Sequence, residues 1–209
     1  MKKALPLTMC ILSSTYVSTA LAEEKNDWYI GALYNSQKIS MYESREFKSA
    51  GAIAGYKIND IFSIETRLHT GLSGYSFNLN EAGFDEQKYK QDLEDQKYKQ
   101  DIEYQVHILA KASYTITEAF NVYALAGYTK TKTEITTSIS HTDLSGNIIT
   151  YPNQFSATID GFSYGVGLDY KINNQFSFFV DYQVLPDSDL YQDSTGSWDS
   201  FNLGVNFSF

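Results

Sequence analysis

Glu65, Arg67 and His69 occupy every second position of one short run. Glu103, Gln105 and His107 do the same further on, and Lys111 follows four residues later. In an extended chain, alternate residues project to one side. Each run therefore sets a carboxylate, an imidazole and a cation or amide on a single face. Asp169, Asp181 and Gln183 add polar groups to later runs of the same kind. Three chemistries use such sets: proton transfer between carboxylate and imidazole, metal binding, and a mixed-sign lining for a conducting pore. The alternative is a core in which the charges neutralise one another.

The first two chemistries need further partners. A hydrolase built on His69 or His107 requires a nucleophile beside the base. No serine stands next to either histidine at such a spacing, and the sole cysteine, Cys10, lies in the N-terminal segment. A metal site from His69, His107 and Glu65 depends on strand register, because no HxH or HxxxH spacing occurs. His141 sits in the polar stretch Ser140-His141-Thr142-Asp143 and is expected to be solvated. No Gly-rich phosphate loop is present. Gly161, Gly165 and Gly167 share one strand face, where they leave room for bulky inward neighbours. No catalytic, metal or cofactor-binding residue is assigned, and no cofactor is expected.

The elements that carry these residues are strands. Phe201, Leu203, Val205, Phe207 and Phe209 alternate with Asn202, Gly204, Asn206 and Ser208. Phe176, Phe178, Val180, Tyr182 and Val184 alternate with polar residues, Phe179 being the exception. Phe162, Tyr164, Val166, Leu168 and Tyr170 form one face of 158–170, opposite Gly, Ser and Asp. Strict alternation over about ten residues marks a strand with one apolar and one polar face. A soluble sandwich alternates too, with its apolar face inward. Here the apolar faces are long and rich in large aromatics, while the opposite faces are small or polar. That is the signature of a transmembrane barrel, apolar outside and polar inside.

The termini and the charge agree with export. Met1-Lys2-Lys3, a short apolar run to Val17, and Ala20-Leu21-Ala22 form a secretory signal with a cut expected before Glu23. The domains expected are a cleavable signal over 1–22 and a single barrel over 23–209. The formal net charge is -9. Losing Lys2 and Lys3 with the signal takes it to about -11, which suits large solvated loops. It argues against a nucleic-acid partner, which needs a basic face.

An internal repeat sets the topology. Tyr56-Lys-Ile-Asn-Asp-Ile-Phe62 recurs as Tyr114-Thr-Ile-Thr-Glu-Ala-Phe120 and as Tyr170-Lys-Ile-Asn-Asn-Gln-Phe176. Each copy is an aromatic, a short polar turn and an aromatic opening the next strand. Three tight turns on one side imply eight strands, at about 27–37, 47–58, 61–72, 101–114, 119–134, 157–170, 175–185 and 198–209. The fold class is all-β: an eight-stranded antiparallel up-and-down transmembrane β-barrel with short periplasmic turns and long extracellular loops. Closure is required because an open sheet edge in lipid leaves backbone groups unpaired. The long connections fall at 38–46, 73–100, 135–156 and 186–197. The loop 135–156 carries Ile148, Ile149, Tyr151 and Phe155, which suit adhesion or an extension of the strands above the membrane.

Several stretches carry a family likeness. They are Trp28-Tyr29-Ile30-Gly31, Ala54-Gly55-Tyr56, Leu125-Ala126-Gly127-Tyr128 and the terminal Phe209. Over 27–209 the chain resembles the small outer-membrane β-barrel proteins of Gram-negative bacteria. It is similar to the porin-like "outer membrane protein beta-barrel domain" group, and to the OmpX/Ail/Lom and OmpA-barrel families. The resemblance implies residence in the outer membrane, contact with its lipids and lipopolysaccharide, and a monomer. It makes Phe201, Leu203, Val205, Phe207 and Phe209 the signal read by the barrel-assembly machinery, with periplasmic chaperones during biogenesis. It also brings lipid A-modifying enzymes among eight-stranded barrels into view as a third function. First stands a structural, surface-interaction barrel whose loops contact host surface or matrix proteins, and second a small passive channel.

Parity then assigns the interior. With apolar faces to lipid, Glu65, Arg67, His69, Glu103, Gln105, His107, Lys111, Asp169, Asp181 and Gln183 point inward. An eight-stranded barrel is just wide enough for side chains to fill. The expectation is a packed polar lumen, not an enzyme. The same parity bears on a near-repeat, QKYKQDLED followed by QKYKQDIEY over 87–104. Its period of nine is odd, so only one copy can stay in register with a strand. The second copy is expected to run into the fourth strand, with Ile102, Tyr104, Val106 and Ile108 facing lipid. The first is then surplus length in the loop.

Overall fold

The computed structural model describes residues 27–40, 44–78, 95–142, 148–186 and 197–209. The signal segment 1–22, with Cys10, and the first repeat copy up to residue 94 lie outside the described residues. Nine strands follow in order: β1 (Trp28–Ser40), β2 (Ser44–Lys57), β3 (Phe62–Ser73), β4 (Tyr75–Asn78), β5 (Asp95–Thr115), β6 (Phe120–Thr142), β7 (Ile148–Lys171), β8 (Phe176–Leu185) and β9 (Ser197–Ser208). All neighbours are antiparallel, in the order β3-β2-β1-β9-β8-β7-β6-β5, and β3 pairs back with β5 to close the cylinder. β4 continues the line of β3 along β5, with Tyr75 opposite Gln100. The break falls at Gly74, where a Cβ would lie 2.1 Å from the Gln100 carbonyl oxygen. The architecture is thus a closed eight-stranded barrel with its third strand in two pieces.

The three repeated turns are built alike. The amides of Ile58, Ile116 and Ile172 donate to the carbonyls of Phe62, Phe120 and Phe176, each at 2.9 Å. Asn59 Oδ1 accepts from the Ile61 and Phe62 amides, and Asn173 Oδ1 from those of Gln175 and Phe176. Thr117 Oγ1 accepts from Phe120. These side chains satisfy amides that a tight turn would leave open, which is why short polar residues occupy those sites. Phe209 N donates to the Trp28 carbonyl, so both barrel termini lie at this same end.

The surface is inverted relative to a soluble fold. Ile30, Ile64, Leu68, Ile108, Val166, Leu168 and Val205 are exposed on the outer wall. At the short-turn end that wall carries aromatic pairs, Trp28 with Tyr56, Phe120 with Tyr170 and Phe176 with Phe207, each with centroids 5.0 Å apart. Apolar staves with an aromatic girdle are what lipid contact selects. Phe179, out of phase with its strand's outer face, turns inward and is 1% exposed.

Opposite the turns, the wall is uneven. β8 and β9 have 10 and 12 residues, whereas β5, β6 and β7 have 21, 23 and 24. A tilted strand crosses the hydrocarbon in about 10 residues. β6 and β7 therefore continue well beyond it, paired without interruption from Phe120↔Tyr170 to Thr142↔Ile148. This corrects the expected loop at 135–156, most of which is a two-stranded hairpin. Only 143–147 of that stretch is outside the described residues.

Candidate functional site

The barrel interior is layered. Nearer the turns lies an apolar cluster of Tyr29, Leu33, Ile53, Leu109, Tyr123, Leu125 and Phe179. Nearer the long strands lies a second, of Ile39, Phe47, Ile102, Ile159, Leu185 and Trp198. Polar groups occupy the lumen among and between these clusters. Small residues make the space: a Cβ on Gly55 would meet the Tyr29 ring at 2.0 Å, and one on Gly167 the Tyr123 ring at 2.4 Å. The two tyrosines lie across those glycines, and that posture carries their hydroxyls to the acids.

Arg67 is the hub. Its Nε donates to Glu65 Oε1 at 2.5 Å, and Nη1 and Nη2 form a fork on Asp181 at 3.2 and 2.8 Å. β3 thus reaches β8 across the lumen, and Arg67 is 1% exposed. Tyr29 donates to Glu65 Oε2 at 2.8 Å. Asp181 also accepts from Tyr123, Asn202 and Gln183 at 3.0, 2.7 and 3.0 Å. The guanidinium lies over the Phe179 ring, 5.4 Å from its centroid. Buried charges persist only when paired and supplied with further hydrogen bonds, and this set has both.

A neutral chain continues toward the long strands. Trp198 Nε1 donates to Gln37 Oε1, Gln37 Nε2 to Gln105 Oε1, and Gln105 Nε2 to Thr131 Oγ1, at 2.9, 2.8 and 2.7 Å. Above it, Arg45 Nη1 donates to Gln100 Oε1 at 2.8 Å, with its guanidinium 5.5 and 5.4 Å from the ring centroids of Tyr75 and Tyr98. Ion-pair hub, amide ladder and aromatic cap therefore fill the lumen in succession.

The residues singled out in the sequence go to different places. Glu65, Arg67, His69, Gln105, His107, Lys111, Asp169, Asp181 and Gln183 are buried. His69 and His107 meet across β3 and β5 with ring centroids 4.8 Å apart. Glu65 is committed to Arg67 and Tyr29, and among the described residues no three His, Cys, Asp or Glu side chains converge on a metal position. A serine does come beside a histidine in space: Ser49 Oγ lies 3.4 Å from His69 Nδ1. That hydroxyl donates to Asn35 Oδ1 and is fully buried. His107 Nδ1 shares a 2.8 Å hydrogen bond with Thr129, which in turn meets Ser163 at 2.7 Å. These are links in an enclosed polar chain, with no room for a substrate between them.

Two assignments change. Glu103 is exposed on the outer wall and pairs there with Lys132 at 2.8 Å. Ile102, expected to face lipid, is 4% exposed inside the barrel. The cause is a β-bulge between Ile102 and Tyr104, opposite Thr133 and Lys132. One inserted residue flips the parity of everything on its far side. Tyr98, Gln100 and Ile102 of the second repeat copy thereby face inward, while Gln105, His107 and Lys111 keep their place. Sequence reasoning omitted, among other lumen residues, Tyr29, Asn35, Gln37, Tyr123 and Trp198. Asn35 and Gln37 alternate with Ser36 and Lys38, so no apolar outer face marked that end of β1 in the sequence.

Wall and lumen point to one kind of protein, and the comparison of sequences decides it. Residues 7–209 match the family described as outer membrane protein beta-barrel domain. The chain belongs to this family. No curated protein matches it. Among solved structures, Ail, the attachment invasion locus protein of Yersinia pestis, is similar at 14% identity and a TM-score of 0.48, over 88% of this chain and 99% of that one. Neisserial surface protein A is similar at 18% identity and 0.48, over 88% and 97%. OprG of Pseudomonas aeruginosa follows at 12% and 0.46, over 88% and 96%. As a member of the outer-membrane barrel family, the protein resides in the outer membrane, and its exposed aromatic and aliphatic wall is the surface in contact with lipid.

Proposed function

We propose that this outer-membrane barrel is a surface-interaction protein, acting through the structure it raises on the long-strand side. The observation that carries the proposal is the β6–β7 hairpin, which stays paired to Thr142↔Ile148, far past the ends of β8 and β9. Its β7 strand exposes Ile149, Tyr151 and Phe155. Exposed apolar side chains on a rigid scaffold are a usual means of binding a protein partner. The partners are host surface or matrix proteins, and the barrel works as a monomer among lipids and lipopolysaccharide. Export by a signal over 1–22, periplasmic chaperones, and assembly read from Phe201, Leu203, Val205, Phe207 and Phe209 belong to the same proposal.

The test keeps the barrel and removes the hairpin. Thr137 and Asn153 are opposite each other in the register. Replacing 138–152 by a short turn should leave a folded barrel. Cells carrying it should lose adhesion to immobilised matrix or serum proteins by about tenfold or more, the equivalent of one or two anchor residues. Adhesion equal to that of the intact protein contradicts the proposal. The channel reading has less support, because the Arg67 hub spans the lumen from β3 to β8.

A further inference from the structure

At the short-turn end the lumen opens into a cavity of about 460 Å³. Lys57 of β2, Lys111 of β5 and Lys171 of β7 all line it. The carboxylates in its lining are Asp60 and Asp169. Asp169 accepts from Ser177 at 2.9 Å, and Asp60 is partnered too. Among the described residues, no carboxylate lies within ion-pair distance of any of the three ammonium groups. Lys57 Nζ instead donates to Ser208 Oγ at 3.3 Å. Lys111 Nζ sits 3.9 Å from the Tyr123 ring centroid and 6.0 Å from that of Tyr29.

Three like charges from three strands line one confined space, with Asp169 and Asp27 as the carboxylates that act on Lys57 without an ion pair. The lysines ask for a compact anion with several oxygens.

We propose that this vestibule is a binding site for a phosphate-type oxyanion reached from the periplasmic side. Lys57, Lys111 and Lys171 supply charge-assisted donors. The ceiling of the vestibule is Tyr29, Lys111 and the apolar cluster, so the cavity is blind and holds its ligand without passing it on. The same chemistry is offered by a free phosphate or by the headgroup of an inner-leaflet phospholipid.

The full-length mature barrel, folded in uncharged maltoside micelles, is titrated with sodium phosphate against sodium chloride of matched ionic strength. Calorimetry should show saturable binding of phosphate. K57Q and K171Q lie at the rim, where folding is least affected, and each should weaken binding by about tenfold, the loss of one charge-assisted hydrogen bond. K99Q, on the far half of β5, should leave it unchanged. In the same micelles, saturable binding of glycerophosphoglycerol at least as tight as that of phosphate assigns the site to a headgroup, and no binding of it assigns the site to a free anion. No saturable heat with the wild-type protein, or equal affinity in K57Q and K171Q, overturns the proposal. This site lies at the opposite end of the barrel from the adhesive hairpin, so either can fail without the other.

Discussion

Replacing Arg67 by alanine should destabilise the barrel by about 3–5 kcal/mol, the usual cost of leaving a buried charge without its partner. The guanidinium is the only described cation within ion-pair distance of Glu65 and Asp181. Without it two carboxylates remain in the lumen, 1% and 2% exposed, with hydroxyls and amides alone to hold them. Equilibrium urea unfolding in lipid vesicles measures the loss. The mechanism also predicts a rescue. Arg67→Met combined with Glu65→Gln and Asp181→Asn removes the whole set, and neutral replacement of a buried ion cluster is often close to neutral. The triple variant should therefore be more stable than R67M alone. If R67A stays within about 1 kcal/mol of wild type, a range ordinary for surface substitutions, the hub is not what holds the lumen.

The second large effect lies on the outer wall. Val166 of β7 is 64% exposed and lies midway between Phe162 and Tyr170. On a soluble protein an arginine there would be near neutral. In a bilayer, Val166→Arg should cost about 2–4 kcal/mol, the penalty for arginine near the midplane of a lipid-facing strand. Val166→Lys should fall in the same range, while Tyr151→Arg on the distal hairpin should change stability little. Equal effects at Val166 and Tyr151 would mean that the hydrocarbon boundary has been misplaced.

Alternation made the wall legible in the sequence because lipid imposes it. Phe201, Leu203 and Val205 must be apolar for as long as their strand is in hydrocarbon. The same reason explains the underestimate of β6 and β7. Beyond the membrane the outer face includes residues such as Thr136 and Gln154, so the strand continues while its signature stops. Ile135, 5% exposed inside the barrel, shows that the inner face of β6 still packs past residue 134. Parity correctly grouped Glu65, Arg67 and His69 because β3 is unbroken there. It failed at Glu103 because a bulge is a backbone event with no residue type of its own; Ile102-Glu103-Tyr104 reads as an ordinary strand. The partners of Arg67 were unreadable for another reason. Its fork on Asp181 spans 114 positions in sequence and depends on glycines at 55 and 167 that let Tyr29 and Tyr123 lie flat.

The near-repeat over 87–104 now has a definite role for its second copy. Lys97 to Lys99 pair with β4 and β6, and Gln100 receives Arg45 from β2. That copy helps close the lumen on the long-strand side.

The lumen is packed from one apolar cluster to the other. Conductance of the folded barrel in planar bilayers tests this most directly. A filled lumen predicts a silent bilayer after confirmed insertion. Discrete current steps that change with Asp181→Asn would contradict it.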